Sequence, residues 1–489
     1  MSYLELLKLA APEAIVVITA LAVLTIGLTT ARAHVLGPII AVLGVAVAIG
    51  AVLMLPAHAN LFGGMLVISP LNSLFKIICL ALAIATVPLM SSEKSLPNSG
   101  EYVAMLLLGS VGLMLLVGSE ELLMIFIGLE LLGLSLYVLA AFDKTDIRSA
   151  EAGLKYFLFG STASAFTLFG ISLIYGMTGA TALAAIGQKL TTLPLQPLLG
   201  VGIVMTLIGF AFKIAAAPFH LWAPDAYQGA PIPSAAFIAF GSKVASFVVL
   251  GKIVLIGFGP VHGSADWHAM IAGWSPVLAA LAALSILLGN FVALAQTNVR
   301  RLLAYSAVAH GGYTLLGVVA GGREGFSATL FYISVYAVTL IGAFAVVGAV
   351  RRETGGDDLQ NFSGLAARSP FLAASMSIFL LSLAGLPPLA GFFGKFYLFS
   401  VAFHAGENHG LLWLVAIALF GSFVSLYYYL IVLKVIFVDQ PSGSTSQRLN
   451  FSTPGDFVKS VTIIALAAAV LFLGIMPQTL AARILTALP

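Results

Sequence analysis

The chain has very little charge. Only 8% of its 489 residues are Asp, Glu, Lys or Arg, against about 25% in soluble domains. A net charge of +3 is too small to suggest a nucleic-acid partner. The single cysteine, Cys79, excludes an intrachain disulfide framework and any thiolate-ligated cluster held by this chain alone. Neither a GxGxxG stretch nor a Walker loop occurs, so no nucleotide site is visible and no cofactor or metal site is expected. The N-terminal stretch MSYLELLKLAAPEA carries Glu5 and Glu13. It lacks the basic segment and small-residue cleavage site of a signal peptide. The first apolar helix is therefore expected to be retained.

What is present is apolar. Hydrophobic residues make up 60% of the chain and mean hydropathy is +1.09, the composition of an all-α polytopic membrane protein. A spanning helix needs about 20 apolar residues. Fourteen such runs lie near 11–30, 35–55, 66–89, 101–118, 120–141, 152–176, 197–221, 231–258, 271–291, 301–320, 325–350, 370–401, 410–437 and 459–482. The most polar intervals, 91–100, 142–151, 351–369 and 439–458, are too short for an extramembrane domain. Loops after odd-numbered spans hold Arg32, Lys94, Lys144, Arg148, Arg300, Arg301, Arg351, Arg352, Arg368, Lys434, Arg448 and Lys459. Loops after even-numbered spans hold only Lys189 and Arg323. By the positive-inside rule the odd loops face the cytoplasm, which puts both termini outside.

The charges left inside the spans are informative. Glu130 lies at the centre of the fifth span, Lys155 just inside the sixth, Lys213 in the seventh and Lys243 in the eighth. His310 is in the tenth, near Tyr305, and Lys395 in the twelfth. A central Lys or Asp costs about 2.5–3.5 kcal/mol on insertion scales. Glu130 and Lys155 could form a structural ion pair, but the lysines outnumber the carboxylates. Ammonium groups without partners in an apolar interior can exchange protons, and a proton path requires that. Glu120 and Glu121 read as a solvated helix-start pair.

Two spans are interrupted. LAGLPPLAGFFGKFYLF places Pro387, Pro388, Gly391 and Gly394 just before Lys395; the prolines remove backbone donors and end a regular helix. FAFKIAAAPFHLWAPDAYQGAP places Pro218 five residues after Lys213 and His220 seven after it. Broken helices at membrane depth occur where they are buried in protein or line a watery cavity. Alternatively Lys395 snorkels to an interface, and His220 is a hydrogen-bonded helix-end residue. Two broken lysine helices five spans apart suggest an internal repeat of spans 4–8 and 9–13. An odd number of helices per unit inverts the second copy. The expected organisation is three N-terminal helices in 1–100, units at 101–258 and 271–437, and a last helix in 459–489. Glu130 then corresponds to His310.

The runs FKIAAAPFHLWAPDAYQGAP, RRLLAYSAVAHGGY and LAGLPPLAGFFGKFYLF resemble the signature segments of the antiporter-like subunits of respiratory complex I. These are related to subunits of Mrp-type sodium/proton antiporters and membrane-bound hydrogenases. The resemblance covers essentially the whole chain. Some members carry glutamate at the broken twelfth helix, and one is longer; this chain's length, spans and Lys395 match the lysine-bearing member. The resemblance implies a proton-translocating subunit of the membrane arm of an NADH–quinone oxidoreductase, in a bacterial inner membrane. It carries the fifth-helix glutamate over to Glu130 and its modulating lysine to Lys155. The remaining path falls on Lys213, His220, Lys243 and Lys395. It also implies that flavin, iron–sulfur clusters and quinone sit on partner subunits. Those partners are a neighbouring antiporter-like subunit and small subunits towards the quinone site, with lipids around them. A cation/proton antiporter subunit of Mrp type or of a membrane-bound hydrogenase, and an inert structural subunit, are the alternatives.

Overall fold

The computed structural model describes residues 3–30, 32–93, 98–406, 409–440 and 454–488. Lys94 and Arg448, two of the basic loop residues, lie outside the described residues. The N-terminal helices are α1 (Tyr3–Leu9), α2 (Ala11–Thr29), α3 (Ala33–Leu53) and α4 (Pro70–Thr86). Next come α5 (Ser99–Gly118), α6 (Leu122–Ala140), α7 (Ile147–Thr178), α8 (Leu183–Leu190), α9 (Pro197–Lys213), α10 (Trp222–Gly229) and α11 (Ile232–Lys252). The second half holds α12 (Trp274–Leu294), α13 (Val299–Ala320), α14 (Gly322–Thr354), α15 (Leu365–Arg368), α16 (Pro370–Ala384), α17 (Ala390–His404) and α18 (Leu412–Phe437). The chain closes with α19 (Pro454–Ile475) and α20 (Gln478–Ala487).

Among the described residues, 12 helices are long and apolar enough to cross a membrane. The seventh and twelfth expected spans are not single long helices: α9 covers 197–213 of the first, and α16 and α17 divide the second. Two expected boundaries are corrected. Residues 66–68 belong to a short hairpin, β1 (Ala59–Leu61) against β2 (Leu66–Ile68), because Pro70 and the Ser69 cap on Asn72 N–H start α4 only there. The final run 459–482 is two helices, α19 and α20, parted at Pro477.

The helix ends follow local chemistry. Asp146 caps α7 through Arg148 N–H at 2.9 Å, and Asn298 caps α13 through the N–H groups of Arg300 and Arg301. Side-chain oxygens in this role satisfy donors that the first helical turn leaves open. Glu121 does the same for α6, accepting from Met124 N–H at 2.7 Å. It is 3% exposed, so the solvated helix-start pair is corrected: Glu121 is a buried cap, and Glu120 faces Lys252 at 3.5 Å.

Helices apolar all round belong in the interior. The stretches Ile232–Gly257, Val299–Ala320 and Gly322–Thr354 are buried along nearly their whole length. They comprise α11 with its short continuation, α13 and α14, and they form the centre of the bundle. On one side, the terminal face, Leu488 shares a cavity with Pro70 at the start of α4, and Glu13 near the start of α2 pairs with Lys76 of α4. On the opposite face Arg300 pairs with Asp357, whose other oxygen accepts from Asn298 Nδ2 at 2.6 Å. Arg300 also donates to the carbonyls of Ala230 and Gln228. The start of α13, the loop after α14 and the end of α10 are pinned together this way.

Candidate proton-path site

The two breaks hold their lysines differently. The last residue of α9 is Lys213. The chain then leaves the helix over 214–221, and the bonds before Pro218 and Pro388 are both cis. Backbone groups freed by the break find side chains: Trp222 Nε1 donates to Phe212 O at 3.0 Å and Ala217 N–H donates to Ser285 Oγ at 2.8 Å. Lys395 instead lies beyond its break, inside α17, and its side chain reaches back to it. Its Nζ donates to Ala384 O at 3.0 Å and to Ser422 Oγ at 2.9 Å. Gly385 closes α16 at φ +86°, and a Cβ there would stand 2.9 Å from Lys395 Cδ. The position therefore needs glycine for both its conformation and its closeness to the lysine.

Lys213 is 3% exposed, and its Nζ has no hydrogen-bond partner among the described residues. It packs over α6, 5.5 Å from the Tyr137 ring centroid. A Cβ on Gly133 would lie 2.7 Å from the Nζ. Glu130 sits one turn before Gly133 on the same helix and accepts from Ser164 Oγ at 2.5 Å.

The expected Glu130–Lys155 pair is corrected. Lys155 bonds Asp225 Oδ2 at 2.7 Å and Glu151 at 2.6 Å. Ser164, the partner of Glu130, lies nine residues further along α7, about 14 Å along the axis. Asp225 uses its other oxygen for Arg301 at 2.7 Å, so one carboxylate joins α7, α10 and α13. This node borders a polar cavity of about 250 Å³ with Arg148 and Gln228 on its walls. His220 is buried in the break, its ring centroid 6.2 Å from that of Tyr305.

Lys243 continues the row. Its Nζ donates to Ala307 O and lies 5.5 Å from the Tyr336 ring centroid. A Cβ on Gly311 would stand 3.2 Å from Ile214 O and 3.9 Å from Lys243 Nζ. Gly311 thus has Lys243 Nζ and the carbonyl of Ile214, the residue after Lys213, both close by. His310, the neighbour of Gly311, is held by Tyr332 OH at 2.6 Å and Tyr429 OH at 3.2 Å, and its ring is 4.9 Å from that of Tyr336. Lys395 Nζ lies 5.1 Å from the Tyr313 ring centroid. Lys213, Lys243 and Lys395 are each under 5% exposed, and none has a carboxylate within ion-pair distance among the described residues. Sequence reasoning missed Ser164, Asp225, Arg301, Ser422 and the tyrosines around His310. Asp225 and Arg301 both stand in signature stretches, Asp225 beside Pro224 and Arg301 at the start of RRLLAYSAVAHGGY.

A helical membrane bundle with two broken helices and buried lysines along its centre defines the antiporter-like class of membrane subunit. The chain belongs to the family described as NADH:quinone oxidoreductase/Mrp antiporter, TM, whose profile matches residues 119–425. It is 44% identical to NADH-quinone oxidoreductase subunit N 2 of Acidobacterium capsulatum, over 98% of both chains. It is 39% identical to NADH-quinone oxidoreductase subunit N of Desulfovibrio desulfuricans, over 96% of this chain and 94% of that one. Among solved structures it is similar to a chain of respiratory complex I from Thermus thermophilus, with 31% identity and TM-score 0.77 over 96% of this chain and 98% of that one. A chain of the Mrp complex from Dietzia sp. gives TM-score 0.84 at 20% identity over 98% and 97%; at that identity the likeness speaks for the fold alone.

Proposed function

We propose that this chain is the subunit N type, proton-translocating component of the membrane arm of an NADH-quinone oxidoreductase. The observation that carries the reading is the row of three buried lysines with no carboxylate ion-pair partner among the described residues, two of them at helix breaks. Redox chemistry belongs to partner subunits of the complex, which also carry its flavin, iron–sulfur clusters and quinone. In this reading the face opposite the termini is cytoplasmic, supported by the described basic residues there, among them Arg32, Lys144, Arg301, Arg351 and Lys434.

Glu130, seated on Ser164, lies one turn from the residue that faces Lys213. Moving its negative charge towards or away from Lys213 changes how strongly that lysine holds a proton; an opposite charge within about 4–6 Å matters by one to three pH units. A proton loaded there passes along the α9 break to Lys243, then through the His310–tyrosine cluster to Lys395, where the second break releases it outside. The groups titrate as one coupled row. Lys155 acts on the cytoplasmic side, through Asp225, and His220 lies in the break between that node and Lys213. Glu130→Gln tests this: the complex should assemble, as read on blue-native gels, yet pump poorly in membrane vesicles. Wild-type pumping by the assembled Glu130→Gln complex contradicts the switching role.

A further inference from the structure

Outside the path, Glu13, Lys76 and Lys252 are buried charges towards the terminal face, with half-buried Glu120 beside Lys252. Lys76 pairs with Glu13 at 2.5 Å, both buried. Lys252, 2% exposed, donates to Asn72 Oδ1 at 2.5 Å and to Val117 O at 2.8 Å, with Glu120 Oε1 at 3.5 Å. The two lysines flank the end of α5, where a Cβ on Gly118 would stand 3.0 Å from Lys76 Nζ. The first pair is sealed. The second is vented: Glu120 and Lys252 line a cavity of about 640 Å³ whose walls include Ile68, Leu71, Phe326 and Leu488 and whose rim carries exposed His58. Directly after Lys252 the helix widens into a π turn, Ile253–Gly257, a feature that concentrates at functional sites.

We propose that Lys252 and Glu120 form a second outward proton-exchange site, giving the first five-helix unit its own release point beside Lys395. This rests on the proton-translocating reading and its orientation. An ammonium clamped by a carboxylate, an amide oxygen and a carbonyl oxygen occupies a ready cation seat, and only the carboxylate side meets the cavity. In the transfer, the Nζ–H bond of Lys252 breaks and an O–H bond forms on Glu120 Oε1, leaving a neutral amine and a neutral acid. Glu120 then passes the proton to cavity water as hydronium and returns to carboxylate. Lys252 is recharged from the interior along α11. Lys243 lies nine residues back, about 14 Å and half a turn round the helix. Ser246, buried and with no hydrogen-bond partner for its hydroxyl among the described residues, stands between them.

The test is charge rescue in the intact complex, in membranes with the outer face accessible. Lys252→Cys should assemble and show a several-fold drop in protons moved per NADH oxidised. Aminoethylation of the new thiol by a methanethiosulfonate restores a titratable amine and should restore pumping. The trimethylammonium reagent, which restores charge but no proton, should not. Wild-type pumping by Lys252→Cys, or equal rescue by both reagents, overturns the site and leaves a structural clamp. If Lys252→Cys does not assemble, Glu120→Gln decides: assembled and impaired supports the site, assembled and normal overturns it. Lys213→Ala in parallel separates the levels, because normal pumping there refutes the proton-path reading itself.

Discussion

Lys213→Arg keeps the positive charge and takes away the ability to release a proton. The ordinary pKa values are about 10.4 for lysine and 12.5 or higher for arginine. Equal burial acts on both, so the neutral form is at least about 100-fold rarer for arginine. If turnover passes through the neutral amine, proton translocation should fall by about that factor, to background. Space adds to the effect. Lys213 Nζ already lies 2.7 Å from where a Gly133 Cβ would be, so a guanidinium must press on α6 and Tyr137. Pumping would be followed by a pH-sensitive dye in inverted vesicles, with blue-native gels to normalise for assembled complex. Lys213→Arg should then be nearly as harmful as Lys213→Ala. An assembled arginine variant that pumps at the wild-type rate would refute proton loading at this position and leave only a need for fixed charge.

Other outcomes follow from the same geometry. Ser164→Ala removes the only hydrogen bond described for Glu130; pumping should drop less than in Glu130→Gln, since the charge stays and only its seat is lost. Asp225→Asn removes the carboxylate that Lys155 and Arg301 share, so its effect on pumping should not add to that of Arg301→Gln in a double-mutant cycle. Asp357→Asn leaves the Arg300 guanidinium buried without its counter-ion, which costs about 3–5 kcal/mol and should show as a lower melting temperature of the detergent-solubilised complex. Burial alone would raise the Asp357 carboxyl, but Arg300 and the Asn298 hydrogen bond outweigh it and hold it below the ordinary 3.8. A depressed carboxyl stabilises fully above its unfolded value. The stabilisation from this clamp should therefore be complete above about pH 4 and fade as pH falls further.

The breaks were legible because proline and glycine act locally. Pro218, Pro387 and Pro388 mark where α9 and α16 must stop, and the lysines beside them are costly enough in an apolar run to stand out. Pairing across helices was not legible. These spans are apolar on all sides, so their sequences carry no phase that says which face meets which neighbour. Glu130 and Lys155, in adjacent spans, read as a possible ion pair, and the family resemblance links them. The structure seats Glu130 of α6 on Ser164, nine residues along α7 from Lys155, and gives Lys155 to Asp225. The placement of Lys213 before its break and Lys395 after it was legible too, from the order of lysine and proline in the two stretches. Glu121 looked like a solvated charge because a capping role depends on where the helix begins. The terminal hairpin shows the converse error, apolar residues 66–68 counted into a helix that Ser69 and Pro70 start later.

In the proposed path, protons cross through the buried lysine row and leave at Lys395. The most direct measurement is the number of protons moved per NADH oxidised by equal amounts of assembled complex, wild type against Lys395→Ala. The account predicts a clear fall for the alanine variant and partial recovery in Lys395→Glu, whose carboxyl can also exchange a proton. A Lys395→Ala complex that assembles and keeps the wild-type ratio would contradict it.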